Sequence, residues 1–229
     1  MQRYIRNMNA LSAEENERLK DFRVCVIGCG GLGGYVVEML GRIGIGYLTV
    51  IDSDDFEESN LNRQLFSDMA VLGKSKVEVA RERMKAVNPL VDIQDLQVRL
   101  TEANVQDLIR GHDVVVDALD NRETRLVLQA AAEDLGIPMV HGAIAGWYGQ
   151  VTTIFPGDRS LDLLYSRSSS SALEESLGNP SFTPALVAAI QASETIKVLI
   201  GRGELLRGRL LYIDLLGQQY VTLPLLTEA

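Results

Sequence analysis

The sequence predicts an α/β fold, with a mostly parallel sheet, helices on both faces and a few antiparallel strands at the C-terminal end. Three observations support this fold. A β-branched run at 24–27 enters a glycine-rich turn, and an amphipathic helix with apolar residues at helical spacing follows directly. A second apolar run ends at Asp52, 19 residues after Gly33. The run at 113–119 is nearly all apolar, which is typical of a strand buried on both faces.

The glycine-rich turn is the segment around which the predicted fold is organised. Its glycines, Gly28, Gly30, Gly31 and Gly33, allow a tight turn and let backbone N–H groups approach a phosphate. That phosphate would lie at the positive end of the following helix. Asp52 stands where an acidic side chain reaches a ribose hydroxyl, so the sequence predicts a Rossmann-like nucleotide site.

The composition suits one domain with an aliphatic core. With 229 residues, 46% of them hydrophobic and 6% aromatic, we predict a single domain over 1–229. The formal net charge is −9 and no long basic block occurs, so binding to nucleic acid is not expected. The first ten residues do not resemble a signal peptide, and no apolar stretch looks long enough to span a bilayer. We therefore expect a cytoplasmic protein without membrane contact.

The cysteines and histidines do not indicate a disulfide, a zinc site or a nucleophilic catalytic site. Cys25 and Cys29 lie in one strand and its turn, where they are poorly placed for a structural disulfide, and no CxxC pair exists to hold zinc. His112 and His141 are the only histidines. Neither accompanies an arrangement typical of nucleophilic catalysis, so we interpret both as ordinary core or surface residues.

The remaining elements follow from periodicity and from start and stop signals. Ser12 and Glu15 have capping-box spacing and predict a helix from Ala13 to about Phe22, so residues 1–21 form an N-terminal arm and helix. Residues 157–180 are rich in serine and acidic residues and predict a mobile loop. The other predicted helices are 73–87, 102–110 with Thr101 as its cap, 122–136 and 183–200, and the other predicted strands are 92–98, 137–144, 147–155, 209–214 and 218–223.

Polar residues collect where the predicted parallel strands end, which is the edge at which such sheets bind ligands. Asp52 and Asp54 follow the second strand, and Asp120 and Asn121 follow the third apolar run. For Asp120 the alternative is a role as the cap of the next helix.

Basic residues near the glycine turn are candidates for phosphate contact. Arg63 is the nearest fixed cation after that turn, and its planar guanidinium matches phosphate oxygens, although its stretch could also be plain turn chemistry. Lys74 and Lys76 open a helix, where positive charge opposes the helix dipole. A nearby anion would offset that cost for either lysine.

Short motifs are spread in order along essentially the whole chain. They are RYIRN at 3–7, GCGGLG at 28–33, DSD at 52–54, SNLNRQ at 59–64, GKSKVE at 73–78, NP at 88–89, DN at 120–121 and QASETIK at 191–197. Together they resemble the ThiF/MoeB/HesA family of adenylyltransferases, which are similar to ubiquitin-activating enzymes. The resemblance implies an enzyme that uses ATP and Mg²⁺ to adenylate the C-terminal carboxylate of a small ubiquitin-like sulfur-carrier protein of the ThiS/MoaD type, releasing pyrophosphate.

The resemblance also implies roles for individual residues. Asp52 would hold the ribose, Arg63 and Lys76 would contact the triphosphate, and Asp120 would hold magnesium. Arg6 would reach the triphosphate of the partner subunit in a homodimer, and the carrier would end in a Gly-Gly tail. The implied catalytic residues are Arg6, Arg63, Lys76 and Asp120. The implied nucleotide-binding set is Gly28, Gly30, Gly31, Gly33, Asp52, Asp54, Ser59, Asn60, Arg63, Gln64, Lys76, Asp120 and Asn121.

The chain departs from this family's pattern in its cysteines. Relatives of the sulfur-carrier branch usually hold zinc with two CxxC pairs, and some use a downstream cysteine for covalent transfer. This chain has no cysteine after Cys29. We therefore predict adenylation without covalent transfer, and no zinc site.

Three alternatives remain open from the sequence. One is an enzyme similar to the dehydratases that cyclise threonylcarbamoyladenosine in tRNA, against which the acidic balance counts. Another is a dinucleotide-dependent oxidoreductase, which would leave Arg63, Lys76 and Asp120 without a shared purpose. The third is a nucleotide-binding module that has lost catalysis.

Overall fold

Eight strands form a single sheet in the computed structural model, which describes residues 2–166 and 177–225. The strands are β1 Arg23–Ile27, β2 Tyr47–Ile51, β3 Asp92–Leu96, β4 Val114–Asp117, β5 Met139–Ala145, β6 Tyr148–Ile154, β7 Arg209–Asp214 and β8 Gln219–Pro224. Their order across the sheet is β3-β2-β1-β4-β5-β6-β7-β8. The first five run parallel and the last three join antiparallel, so the predicted fold class is confirmed.

Helices cover both faces of this sheet. The α-helices of the described residues are α1 Ala13–Arg18, α2 Gly33–Ile43, α3 Lys76–Val87, α4 Val105–Ile109, α5 Arg122–Leu135, α6 Ser160–Ser166 and α7 Phe182–Ile200. Ser12 caps α1 through the predicted capping box. Glycine ends α2 and α7, because Gly44 and Gly201 follow them with φ of 107° and 67°, a conformation that costs other residues free energy.

Alternation along β1 divides the core into two layers. Val24 and Val26 belong to the cluster that packs under α2, α3 and α7, whereas Cys25 and Ile27 belong to the cluster under α4, α5 and α6. This is the period of two expected of a strand buried on both sides. All four side chains are at most 1% exposed.

One predicted helix end, one predicted helix start and one predicted loop differ from the structure. The helix after Ser12 ends at Arg18 and continues as a 3-10 turn, and Asn104 rather than Thr101 precedes α4. The predicted mobile loop at 157–180 contains an ordered helix, α6, whose Leu161 and Tyr165 are buried in the core. The segment is also held by hydrogen bonds, since the Leu161 N–H donates to Gln129 Oε1 at 2.7 Å and Tyr165 Oη accepts from Arg125 Nη1 at 2.9 Å. Local composition did not reveal these contacts. Residues 167–176 of that prediction lie outside the described residues.

The expectation that no segment is long and apolar enough to span a bilayer is wrong for α7. This helix has 19 residues and a mean hydropathy of 1.2, and by length and composition alone it could cross a membrane. It packs against β4, β5, β6 and α2, and it buries the polar side chains of Gln191 and Glu194. Its apolar character is that of a core helix covering a sheet.

The N-terminal arm is anchored to its own chain. Residues 2–7 form a 3-10 helix whose Arg3 Nη1 donates to the Val87 carbonyl at 2.6 Å. Tyr4 Oη accepts from Asn88 Nδ2 at 2.8 Å, and Asn7 Nδ2 donates to the carbonyl of Ile43, the last residue of α2, at 2.9 Å. The arm therefore lies at the C-terminal ends of α2 and α3.

Candidate nucleotide site

The predicted site residues other than Arg6 lie at or near the carboxyl ends of β1, β2 and β4. This is where the strand order reverses, because β1 lies between β2 and β4, and ligands bind open α/β sheets at such a reversal. The glycine turn leaves β1 here, and its Gly28 N–H donates to the Ile51 carbonyl of β2 at 2.7 Å. The Ala118 N–H, just after β4, donates to the Ile27 carbonyl at 2.9 Å.

Two glycines fix the shape of the turn because any side chain there would collide with backbone. Gly28 has a φ of 96°, and an added Cβ would lie 2.5 Å from the Ala118 oxygen. At Gly33 an added Cβ would lie 1.8 Å from the Gly28 oxygen. Gly30 and Gly31 meet no such barrier, because their nearest neighbours would be at 3.5 and 3.6 Å. Gly30 and Gly31 therefore leave room for a ligand, whereas Gly28 and Gly33 give the turn its shape.

Asp52 ties the second strand to the glycine turn. Its Oδ2 accepts from the Cys29 N–H at 2.7 Å, and its Oδ1 accepts from the Asp54 N–H at 2.9 Å. Burial raises the pKa of Asp52, and the N–H of Cys29 and the charge of Lys76 only partly offset that effect. Each oxygen keeps a second lone pair, so the carboxylate can still accept from a ribose hydroxyl.

Lys76 is the buried cation of the site. Its Nζ lies 3.0 Å from Asp54 Oδ2, and the Lys76 side chain is 8% exposed against 57% for Asp54. Burial raises the pKa of Asp54, but the hydrogen bond and charge of Lys76 outweigh burial, and the pKa is lowered overall. Lys74 is exposed, so of the two predicted lysines only Lys76 is enclosed at the site.

The segment at 59–64 folds against the glycine turn. Arg63 Nη1 donates to the Ser59 carbonyl and to Asn62 Oδ1, both at 2.9 Å, and no other hydrogen bond of its guanidinium involves the described residues. An added Cβ on Gly31 would lie 3.8 Å from Arg63 Cγ, and one on Gly30 would lie 3.5 Å from Gln64 Nε2. Arg63 and Gln64 therefore line the two open positions of the turn.

The Asn60 side chain makes hydrogen bonds within its own segment of the chain. Its Oδ1 accepts from the Glu57 N–H at 3.0 Å, and its Nδ2 donates to Ser59 Oγ at 3.3 Å. The side chain is 7% exposed. Asn60 thus completes a capping box with Glu57, the residue before the short helix at 58–60, and its place in the nucleotide-binding set stays a prediction.

Asp120 follows β4 beside the glycine turn, and it is not the cap of the next helix. Asn121 fills that role, since its Oδ1 accepts from the Thr124 N–H at 2.9 Å. The alternative prediction that Asp120 caps this helix is therefore wrong. Asp120 is exposed, and Asn121 Nδ2 donates to its Oδ1 at 3.4 Å.

The donor set suits Mg²⁺ bound together with a nucleotide. Within 2–166 and 177–225, no group of three His, Cys, Asp or Glu side chains is arranged to hold a metal ion. Mg²⁺ commonly takes one or two carboxylates and fills its remaining positions with substrate phosphates and water. Asp120 can supply one such carboxylate, whereas Asp52 and Asp54 already accept from backbone N–H and from Lys76.

Arg6 does not approach the site of its own chain. It is exposed on the arm at the C-terminal end of α2, whereas the glycine turn lies at the N-terminal end of that helix. Eleven residues of α-helix separate these ends by about 16 Å. A role for Arg6 would have to be exerted on another subunit, which stays a prediction.

Neither cysteine is available as a thiolate. Both are free and buried, and burial raises the pKa of the Cys25 and Cys29 thiols far above the ordinary value. Asp52 adds to the shift at Cys29. The expectation that no disulfide links them is confirmed.

The sequence interpretation missed several buried residues behind the Asp120 turn. Asp117 and His141 form a pair with Oδ2 and Nδ1 2.7 Å apart, and both side chains are fully buried. Gln191 Nε2 donates to the Asp117 carbonyl at 2.8 Å, and Arg125 donates to the Leu119 carbonyl. A carboxylate inside an otherwise apolar strand was the one signal in the sequence.

The fold is an α/β domain in which glycine, basic and acidic residues share the sheet edge at which such folds bind ligands. The chain belongs to the ThiF family, whose model matches residues 3–229. It is 36% identical to the SAMP-activating enzyme E1 of Haloferax volcanii, over 100% of this chain and 86% of that protein. It is 37% identical to the sulfur carrier protein adenylyltransferase of Thermus thermophilus, over 94% and 84%.

Other similarities agree with this membership. The molybdopterin-synthase adenylyltransferase of Salmonella typhimurium is 33% identical, over 99% of this chain and 93% of that protein. The crystal structure of Escherichia coli MccB with ATP superposes with a TM-score of 0.83 at 20% identity, over 97% and 70% of the two chains, and supports the fold. The predicted family and the prediction of an adenylyltransferase are confirmed.

Proposed function

We propose that this protein uses ATP to adenylate the C-terminal carboxylate of a small ubiquitin-like sulfur-carrier protein. The observation that carries the proposal is the convergence of Gly31, Arg63, Lys76 and Asp120 on one edge of the sheet. Its named relatives include a SAMP-activating enzyme and adenylyltransferases of sulfur-carrier and molybdopterin-synthase type. A cytoplasmic location remains part of the proposal.

The reaction joins two anions, so the site must supply positive charge. A carboxylate oxygen of the carrier attacks the α-phosphorus of ATP, and the bond from that phosphorus to the bridging oxygen breaks as pyrophosphate leaves. Arg63 and Lys76 would reduce the repulsion on approach and stabilise the charge that moves onto pyrophosphate. Mg²⁺ bound to the triphosphate would add to that neutralisation, with Asp120 as its expected protein ligand.

The proposed step needs no general base, because a C-terminal carboxylate is ionised at neutral pH. Both histidines already have structural partners. His112 interacts with the Ile109 carbonyl and Thr49 Oγ1 at 2.9 and 2.8 Å, and His141 with Asp117. With Cys25 and Cys29 buried, we expect the acyl-adenylate itself to be the product handed on.

The assembly we propose is a homodimer in which Arg6 of one subunit reaches the triphosphate bound to the other. The exposed arm supports this idea, because Arg6 makes no side-chain hydrogen bond within the described residues. Arg6→Ala should lower exchange activity without dissociating the dimer. Mixing Arg6→Ala with Arg63→Ala subunits should restore activity in part, and a failure to do so would contradict action across the interface.

The test is exchange of labelled pyrophosphate into ATP, with a candidate carrier that ends in Gly-Gly. Arg63→Ala, Lys76→Ala and Asp120→Ala should each lower exchange at least about tenfold while the fold survives, since each removes one charge that the transition state needs. Lys74→Ala is the matched control, because Lys74 is exposed one residue before α3's cap. Normal exchange in any of the first three variants would remove the role assigned to that residue.

Each alternative function predicts a different experimental result. A carrier without its two terminal glycines should give no exchange. Turnover of threonylcarbamoyladenosine in tRNA, with no response to any carrier, would replace the proposal with the dehydratase reading. A thermal shift with NAD and none with ATP would indicate an oxidoreductase, and ATP binding without any turnover would indicate a non-catalytic module.

A further inference from the structure

The turn that carries Asp120 is held at the residue before it. Leu119 has both of its polar backbone atoms bound by buried charged side chains. Its N–H donates to Asp117 Oδ1 at 3.0 Å. Its carbonyl accepts from Arg125, from Nη2 at 2.7 Å and from Nε at 3.2 Å.

Each of these two side chains is itself held by a neighbour from another element. Asp117 Oδ2 accepts from His141 Nδ1 on β5 at 2.7 Å, and Arg125 Nη1 donates to Tyr165 Oη on α6 at 2.9 Å. The rings of His141 and Tyr165 meet edge to face with centroids 6.4 Å apart. The four side chains therefore form one continuous network around the Leu119 peptide.

Burying these charged side chains costs solvation free energy, so the network is an unfavourable way to stabilise a turn. Asp117 and His141 are fully buried, and Arg125 is 2% exposed. Charged groups lose solvation in such surroundings, and an apolar core of the same volume often gives equal or greater stability. What buried charged hydrogen bonds provide is a single, rigid geometry for the atoms they contact.

We propose that Asp117, Arg125, His141 and Tyr165 are positioning residues, here called the Leu119 clamp, which fix Asp120 where it can hold nucleotide-bound magnesium. The proposal rests on the proposed function for the use of Asp120. Asp120 itself is exposed, and its partner Asn121 is committed to capping α5. Its placement is set by the backbone on both sides: the clamp holds the residue before it, and Asn121, the cap of α5, follows it.

The principal test is Asp117→Asn, which keeps the size of the side chain but replaces one carboxylate oxygen with an NH2 group, so that the side chain can no longer accept from both the Leu119 N–H and His141 Nδ1. The first readout is hydrogen exchange of the Leu119 amide, which we expect to accelerate about tenfold or more at matched global stability. The second is the Mg²⁺ concentration that gives half-maximal pyrophosphate exchange, which should rise several-fold. A role in stability alone would change neither quantity.

Glu194→Gln is the matched control. Glu194 is also a buried carboxylate, 1% exposed, that accepts from Thr153 Oγ1 and the Leu206 N–H, and neither residue adjoins the Asp120 turn. It should leave the Leu119 amide and the Mg²⁺ requirement at wild-type values. Tyr165→Phe is a milder variant, for use if Asp117→Asn does not fold, and should raise the Mg²⁺ requirement by a smaller factor.

Equal Leu119 exchange in Asp117→Asn and Glu194→Gln would overturn the clamp. Faster Leu119 exchange with an unchanged Mg²⁺ requirement would overturn its link to Asp120. If the wild-type protein supports no pyrophosphate exchange, the proposed function fails, and the Leu119 amide still decides whether the clamp exists.

Discussion

Two turns at the same edge of the sheet are built in opposite ways. The glycine turn after β1 takes its shape from missing side chains, because Gly28 and Gly33 bring backbone against backbone. The Asp120 turn after β4 takes its shape from side chains that arrive from α5, β5 and α6. Both must be placed accurately, since they face the same proposed nucleotide.

This difference shows how two kinds of sequence information specify one site. The first turn depends on residues a few positions apart, so it is visible as a pattern. The second depends on pairs separated by 24 residues for Asp117 and His141 and by 40 for Arg125 and Tyr165. Only the folded sheet brings those pairs together.

The largest expected effect comes from adding a methyl group to the glycine turn. Gly33→Ala would place Cβ 1.8 Å from the Gly28 oxygen, and neither backbone segment can move without disturbing β1 or α2. We expect a loss of about 3 kcal/mol or more in the free energy of unfolding, measured with denaturant. Gly30→Ala is the control and should cost less than about 1 kcal/mol, because its nearest neighbour would be at 3.5 Å. Equal losses would show that the turn does not depend on this contact.

A smaller loss of stability is expected when the Cys29 thiol in the same turn is removed. Cys29→Ala should cost about 1 kcal/mol of stability for the lost buried sulfur, and it should leave pyrophosphate exchange unchanged within twofold. Cys25→Ala, in the preceding strand β1 and similarly buried, should behave alike. Loss of exchange in Cys29→Ala alone would assign chemistry to the first turn beyond its shape.

The smallest expected effect is on how the free energy of unfolding varies with pH. The contributions of Asp52 and Asp54 to this variation have opposite signs. The native pKa of Asp52 is raised, so its contribution to stability is greatest below the ordinary carboxyl pKa, about 4, and is lost as pH rises through the native value. The native pKa of Asp54 is lowered, so its contribution is present above the ordinary value and is lost as pH falls through the native value.

Thermal unfolding as a function of pH would test this pair. Relative to wild type, Asp52→Asn should make stability rise more steeply with pH through the acidic range, and Asp54→Asn should make it rise less steeply. Changes of the same sign in both variants would contradict the assignment. Measurements in high salt should reduce the Asp54 effect more, because that carboxylate is 57% exposed.

Much of the fold followed from the sequence because its signals are local. Apolar runs predicted β1, β2 and β4, and helical spacing of apolar residues predicted α2. The family resemblance named Gly31, Arg63, Lys76 and Asp120, and the structure brings all four to one edge. What composition could not predict was α6, because it lies in a stretch that is rich in serine and acidic residues overall, and its own Leu161 and Tyr165 enter the core.

The sequence by itself determined most of the elements and the glycine turn, because each depends on residues close together along the chain, and the family resemblance supplied the list of groups expected to meet a nucleotide. The tertiary structure decided the rest. It enclosed Lys76 rather than Lys74, gave the cap of α5 to Asn121 and so freed Asp120, and joined Asp117 to His141. The cap is a local contact whose choice between two neighbouring residues depends on the backbone geometry of the turn. The other two outcomes depend on burial and on contacts across the sheet, which exist only once distant strands lie side by side.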